Sequence, residues 1–387
     1  GFMDKDWTAD FGELGGTPPA WAPKRPVRIA VLGDFSAGAA SGRLEIGSDL
    51  AARKAIPVEF DNLEDTLARL EPKLTLPLGN DGEGMELEFG ELDAFHPDTL
   101  YRELPVFRAL ADLRKKLNNT ATFAKAAAEV QSWAGGKRRS RAKPKRSKSG
   151  APAADAKLSD FARLVGGNAA TAELRVGGSV DALLRQVVGP FVEKAPDPKR
   201  DALVATVDKA LSDVMRSVLH QPEFQNLESL WRGLDMLLRR IETGPSLQVH
   251  LIDISAEEFA ADLSSASDLS ETGLHSLLVD KPSQEKNGGY SLICGLFNFE
   301  ATPPHAELLG RMAKIAAAAG APFVTAIASD AFMDKKRAPH PLVLQAVNAL
   351  RGLPEAGALA LLSPRFMLRH PYGKRSDPIS SFTFEEF

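Results

Sequence analysis

Val27-Arg28-Ile29-Ala30-Val31-Leu32-Gly33-Asp34 is the stretch on which the fold turns. It is a short apolar run closed by Gly-Asp, the pattern of a strand buried in a sheet. Ile56–Phe60 reads as a second brief strand, and Leu63–Leu70 carries helical spacing with Asp61 or Asn62 placed to cap it. Leu74, Leu76 and Leu78 alternate along Lys73–Leu78, and Met85–Phe89 alternates again. Asn80-Asp81-Gly82 between them is hairpin chemistry. From Asp98 onward Leu100, Leu104, Phe107, Leu110, Leu113 and Leu117 share a helical face, which Pro105 kinks or restarts. A small sheet followed by long helices is an α+β unit over residues 26–134, after an irregular lead at 1–25.

The second part begins helically. Val204, Val207, Leu211, Val214 and Val218 step three and four residues apart. After His220-Gln221-Pro222 the rhythm restarts as Phe224, Leu227, Trp231, Leu234, Leu238 and Ile241. Two stripes broken at a proline predict an antiparallel helical hairpin with an aromatic face. Then strands (Leu247–Ile254, Tyr290–Phe297, Phe323–Ile327, Ala358–Leu362) alternate with helices (Ala256–Leu263, Ala306–Ala319, Leu342–Leu350). That alternation predicts a crossover, largely parallel sheet. The fold class is therefore α/β: an α+β N-terminal unit, a helical part over 158–245, and a mostly parallel α/β part over 246–387.

The division between the two parts is compositional. Eight of the twelve residues Lys137–Lys148 are Lys or Arg, so the remainder of a chain with net charge −4 is eight units more acidic than the whole. Residues 135–157 contain no aliphatic side chain larger than alanine, which predicts a flexible basic linker that cannot bury enough apolar surface to order itself. A second soft boundary falls near Ala195–Arg200. With 44% hydrophobic and 25% charged residues, the 387-residue chain has a globular composition for two or three domains. It shows neither a spanning apolar stretch nor a secretory leader pattern. One cysteine excludes a disulfide framework and a four-thiolate metal site, and fits a reducing compartment.

The chemistry-bearing motifs are weak. Val31–Gly38 follows a strand with a glycine loop but lacks the P-loop Lys and the dinucleotide glycine spacing, so a turn is the better reading. Asn287-Gly288-Gly289 reads as a turn before a strand. Cys294 sits inside an apolar run as a core residue. His220 and His370 precede prolines, where capping or packing explains them. Glu385-Glu386 reads as a solvated end. No nucleophile, base and orienting acid fall into a catalytic arrangement, so the sequence points to a non-enzyme with no catalytic, cofactor-binding or metal site and no cofactor. The 137–148 segment offers phosphates a salt-dependent attraction, which makes a nucleic-acid-binding protein the alternative. The absence there of aromatic side chains for base stacking disfavours it.

Two resemblances sharpen this. Lys24–Ser36, Val58–Asp65, Leu70–Leu74 and Glu91–Asp98, followed by a Leu-rich helix ending Leu113-Arg114-Lys115-Lys116-Leu117, resemble the small subunit of the type VI secretion contractile sheath, over about 24–117. Val218–Glu228, Trp231-Arg232-Gly233-Leu234, Ala321–Val324, Ser363–Gly373 and Phe384-Glu385-Glu386 resemble the large sheath subunit, over about 201–387.

The resemblance implies a fusion of two partners that pair as an intimate heterodimer and polymerise around an inner tube, in the bacterial cytoplasm. Implied partners are other sheath or baseplate subunits, the inner tube and the recycling ATPase, without membrane insertion or nucleic acid. An oligomer is implied if the chain is complete. A linker of this length would hold the halves at ~mM effective concentration. From the apolar stripes, Phe224, Leu227, Trp231, Leu234 and Leu238, with Leu104, Phe107 and Leu113, are the expected inter-domain or partner interface. Leu158, Phe161 and Leu164 occupy the place of the family's ATPase-docking helix. The large-subunit family continues beyond its Phe-Glu-Glu, so the large-subunit-like part is expected to be incomplete at its C-terminus. The chain is then either a sheath subunit or a sheath-like cap or adaptor.

Overall fold

The computed structural model describes residues 9–13, 25–76, 84–133, 200–328 and 339–387. The chain divides into two compact units, and the division does not follow sequence order. One unit draws on Gly1–Thr66 and Leu230–Phe366. Among the described residues, the other draws on 67–76, 84–133, 200–229 and 367–387. The expected partition at the basic segment is a partition of the chain, and both compact units take residues from either side of it. Residues 137–148 themselves lie outside the described residues, as do Leu158, Phe161 and Leu164.

The first unit is built on a six-stranded sheet. Its strands are β1 (Val27–Gly33), β2 (Ile56–Val58), β5 (Leu247–Asp253), β6 (Leu292–Phe299), β7 (Phe323–Ile327) and β8 (Leu359–Leu362). Their order is β2-β5-β1-β6-β7-β8, all parallel except for β2, which runs antiparallel to β5. The N-terminal run that predicted a strand in a small sheet of its own is thus the third strand of the large sheet. Val27 to Gly33 pair in register with Leu247 to Asp253 on one side, and Ile29 to Leu32 pair with Leu292 to Gly295 on the other. This explains the apolar run: six of the seven residues of β1 are buried, because a central parallel strand has no wet face.

One layer of helices covers one face of the sheet: α8 (Ala256–Ser265), a helical stretch from Gly273 to Gln284 interrupted by a π turn at Ser276–Asp280, α9 (Pro303–Ala319) and α10 (Pro341–Gly352). Ala30, Leu32, Ile252, Ile293 and Phe323 of the sheet share a core with Phe259, Leu263, Met312 and Ile315 of the helices. The alternation read over 246–387 reappears nearly residue for residue, whereas the Gly273–Gln284 stretch carried no legible period.

The second unit contains a hairpin of β3 (Lys73–Leu76) and β4 (Met85–Glu88), antiparallel with Lys73 opposite Glu88 and Leu76 opposite Met85. Leu74, Leu76, Met85 and Leu87 point inward, and Lys73 bonds Glu88 on the wet face at 2.6 Å. Helices α3 (Pro97–Glu103), α4 (Pro105–Asn118) and α5 (Phe123–Trp133) follow, with Pro105 starting a new helix at its first position. α6 (Arg200–Leu219) finds its packing partners in α4 and α5. The a/d-like stripe of α6 is covered by helices from the other side of the basic segment. α7 (Pro222–Leu238) follows, and the boundary between units falls inside it at residues 229 and 230.

Candidate functional site

The feature with most functional content is the seam along which the residues before the basic segment meet those after it. Each unit contains its own stretch of that seam.

In the first unit the seam is the double ladder of β1, extended by a buried aromatic contact. Trp231 is fully buried, its indole Nε1–H donates to the carbonyl of Phe35 at 3.0 Å, and the two rings meet edge to face at 5.2 Å. Beyond the strand ends lies a charged cluster. Ser36 donates through N and Oγ to Asp253 at 3.0 and 2.6 Å. Arg43 bridges Asp253 at 2.8 Å and Glu258 at 3.2 Å. Arg53 bonds Glu258 through both terminal nitrogens and Glu45 at 2.7 Å. Glu258 has no exposure, and it also closes the capping box of α8 with Ser255. Burial pushes the Glu258 carboxyl up, but hydrogen bonds from Arg53 and from the backbone of Ser255 and Glu45 outweigh it and hold it below its ordinary value. Asp262, equally buried, accepts the N–H groups of Gly47, Gly273 and Leu274 at 2.7, 2.9 and 2.8 Å.

The backbone N–H groups of Phe35 to Ala39, in the glycine loop after β1, are all taken by acceptors within the protein, which leaves them unavailable to a phosphate. Asp34 takes the N–H groups of Gly38 and Ala39 at 2.6 and 3.1 Å. Burial and the neighbouring Asp253 push the Asp34 carboxyl up to about 6. Cys294 is half-buried, and burial raises its thiol to about 11, away from a reactive thiolate.

In the second unit the seam is helical and aromatic. Phe89 and Phe95 stack at 4.3 Å, and Phe224 meets both edge on at 5.9 and 5.7 Å. Arg114 of α4 bridges Asp208 of α6 at 2.5 Å. The C-terminal residues are bound in as well. Asp98 accepts the N–H and hydroxyl groups of both Ser380 and Ser381 at 2.6 to 3.1 Å. Burial works against ionisation of Asp98, yet these hydrogen bonds hold its carboxyl down to about 2. Glu386, read as part of a solvated end, is 3% exposed: it pairs with Arg369 at 2.8 and 3.1 Å and accepts Tyr372 N–H at 2.9 Å. Arg369 reaches on to Glu228 at 2.9 Å. His220, expected to pack, stacks on Phe387.

The residues expected at an interface are all buried. Leu104, Phe107, Leu113, Phe224 and Leu227 fall in the second unit, and Trp231, Leu234 and Leu238 in the first. Sequence reasoning missed Phe35, Arg43, Arg53, Glu258 and Arg369. Only Glu258 carried a local signal, the Ser255-Ala256-Glu257-Glu258 capping box before Phe259. Among the described residues no group of His, Cys, Asp or Glu could hold a metal ion, and no helix is long and apolar enough to cross a membrane.

Comparison with known proteins gives the seam its meaning. Residues 201–387 match the VipB family described as the EvpB tail sheath N-terminal domain, and residues 24–132 match the VipA family of the type VI secretion system. The type VI secretion system sheath protein TssC1 of Pseudomonas aeruginosa is 32% identical over 203 residues, covering 48% of this chain and 40% of that protein. The chain thus spans about two fifths of the length of this curated relative. Strand β1 and helix α4 lie in the VipA match, and β5, β6 and α6 lie in the VipB match, so the seam joins one family's segment to the other's. The chain is a fusion of a VipA (TssB) family segment with a VipB (TssC) tail-sheath segment of type VI secretion.

Proposed function

We propose that the chain is a structural component of a type VI contractile sheath, or a sheath-like cap or adaptor in the same machine, with both partners fused on one polypeptide and acting mechanically. One observation carries this reading: a strand of the VipA-like segment is laddered on both sides by strands of the VipB-like segment. Two segments that share a single sheet move as one rigid body, which is what a subunit transmitting force needs. The interface residues named above serve in this reading as the internal glue of that body. Its outward partners are other sheath or baseplate subunits, the inner tube and the recycling ATPase, in the bacterial cytoplasm. Function then resides in subunit geometry, without a catalytic step.

Electron microscopy tests this. The purified protein is imaged alone and mixed with sheath tubes assembled around the Pseudomonas aeruginosa relative. Tubes or rings of the chain itself, or its decoration of those tubes or their ends, are the expected outcomes. Single particles of one-chain mass that leave the tubes bare would overturn the proposal.

A further inference from the structure

Residues 9–13 lie in what composition alone presents as an irregular lead, yet Asp10 to Glu13 are each bound to one place on the first unit. That place is the groove between α9 and the Ala266–Leu269 turn. Glu13 N–H donates to the Ser267 carbonyl at 2.7 Å, and Leu269 N–H donates to the Glu13 carbonyl at 2.6 Å, making a one-rung parallel bridge. Phe11 lies over Gly310 of α9, where any β-carbon would occupy the space of its ring. Gly12 has φ +64°, and a β-carbon there would meet the Ser267 carbonyl at 3.0 Å and Arg311 Nη1 at 3.1 Å. That position therefore demands glycine twice over, by backbone conformation and by space. Lys314 Nζ donates to the Gly12 carbonyl at 2.5 Å.

The charge that reads the segment is already fixed by the groove. Arg311 is 6% exposed and donates to the carbonyls of Leu263 and Ala266 at 3.0 and 3.1 Å, with Glu307 at 3.5 Å. Its remaining reach is spent on the segment: the Asp10 carboxylate at 3.1 Å and the Asp10 carbonyl at 3.2 Å. A buried guanidinium held by backbone carbonyls, a glycine notch for a ring and a turn edge that makes two backbone bonds are the parts of a short-peptide site.

We propose that the groove between α9 and the Ala266–Leu269 turn is a peptide-recognition site for an extended acid–aromatic–glycine segment, occupied in this chain by its own Asp10-Phe11-Gly12-Glu13. The specificity follows position by position: a carboxylate for Arg311, a flat ring for Gly310, no β-carbon at the third place, and backbone alone at the fourth. Thirteen residues of sequence, 14–26, separate Glu13 from β1, so covalent linkage presents the segment to the groove at ~mM effective concentration and keeps other ligands of the same chemistry out.

The test uses a fluorescent synthetic peptide of residues Asp6–Thr17, read by anisotropy against the full chain. In the variant with Asp10→Ala and Phe11→Ala the groove itself is untouched but vacated. Saturable binding to that variant is expected, at least tenfold tighter than to the unaltered chain. Peptides carrying Phe11→Ala or Gly12→Val are expected to lose binding to the same variant, and these controls alter the peptide alone. No saturable binding to the vacated variant would overturn the proposal, as would equal binding by the altered peptides. Equal affinity for vacated and unaltered chains would overturn self-occupancy.

Discussion

Replacing Trp231 by aspartate puts the seam of the first unit under direct strain. Trp231 is fully buried, so its truncation removes a large apolar body whose loss costs about 3–5 kcal/mol. The edge-to-face contact with Phe35 at 5.2 Å adds ~0.5–1.5 kcal/mol beyond area. The Phe35 carbonyl loses its donor, a further cost of about 1–3 kcal/mol if no water replaces it. The incoming carboxylate would sit where a fully buried indole stood, and burying a charge is costly in its own right. The total is comparable with the whole stability of a typical domain, about 5–15 kcal/mol.

The assay exploits the eight Lys and Arg residues at 137–148, which offer trypsin its densest targets. After limited cleavage there, the fragments of the unaltered chain are expected to co-elute on size exclusion, because β1 stays laddered between β5 and β6. Fragments of the Trp231→Asp chain are expected to separate. Trp231→Phe is the control: it keeps a ring and loses the indole N–H, for a cost of ~1–3 kcal/mol with co-elution retained. If cleaved Trp231→Asp fragments co-elute with an unchanged urea midpoint, Trp231 does not hold the seam.

Glu258→Gln leaves Arg43 and Arg53 without their shared buried counter-charge, so a loss of ~3–5 kcal/mol is expected in urea unfolding; a loss under ~1 kcal/mol would show the cluster to be dispensable. Asp98 is held at about 2, below its unfolded value near 3.8, so it stabilises the protein above that unfolded value and the contribution is lost as pH falls through about 2. With allowance for solvent screening, Asp98→Asn should cost about 1–2 kcal/mol at pH 7, and the gap should narrow on acid titration; a gap independent of pH between 5 and 2 would refute the assignment.

The sequence disclosed the elements far better than their partners. Phe323–Ile327 is a strand within the limits its apolar run set, and Pro105 restarts a helix as its fixed φ and missing N–H require. What β1 pairs with was not legible, because burial on both faces marks a central strand without naming its neighbours. The same holds for α6, whose stripe predicted a partner and whose partner, α4, lies about a hundred residues earlier. The charged cluster was invisible for a related reason. Arg43 and Arg53 look like ordinary surface residues and Glu258 like a helix cap alone, and only the sheet brings them together. Glu386 was misread because a terminal acid usually meets water, whereas here Arg369 and the Tyr372 N–H bind it.

The position of β1 also sets a timetable for synthesis. Its register partners are some 220 residues later in β5 and some 260 later in β6. A ribosome adding roughly 5–20 residues per second needs on the order of 10–50 s to cover that distance. Throughout that interval the strand that forms the middle of the sheet has emerged with both hydrogen-bonding edges bare. Carrying both segments on one message guarantees that the missing edges arrive at equal dose and in the same place, so the nascent strand waits for its own chain instead of searching the cell for a partner.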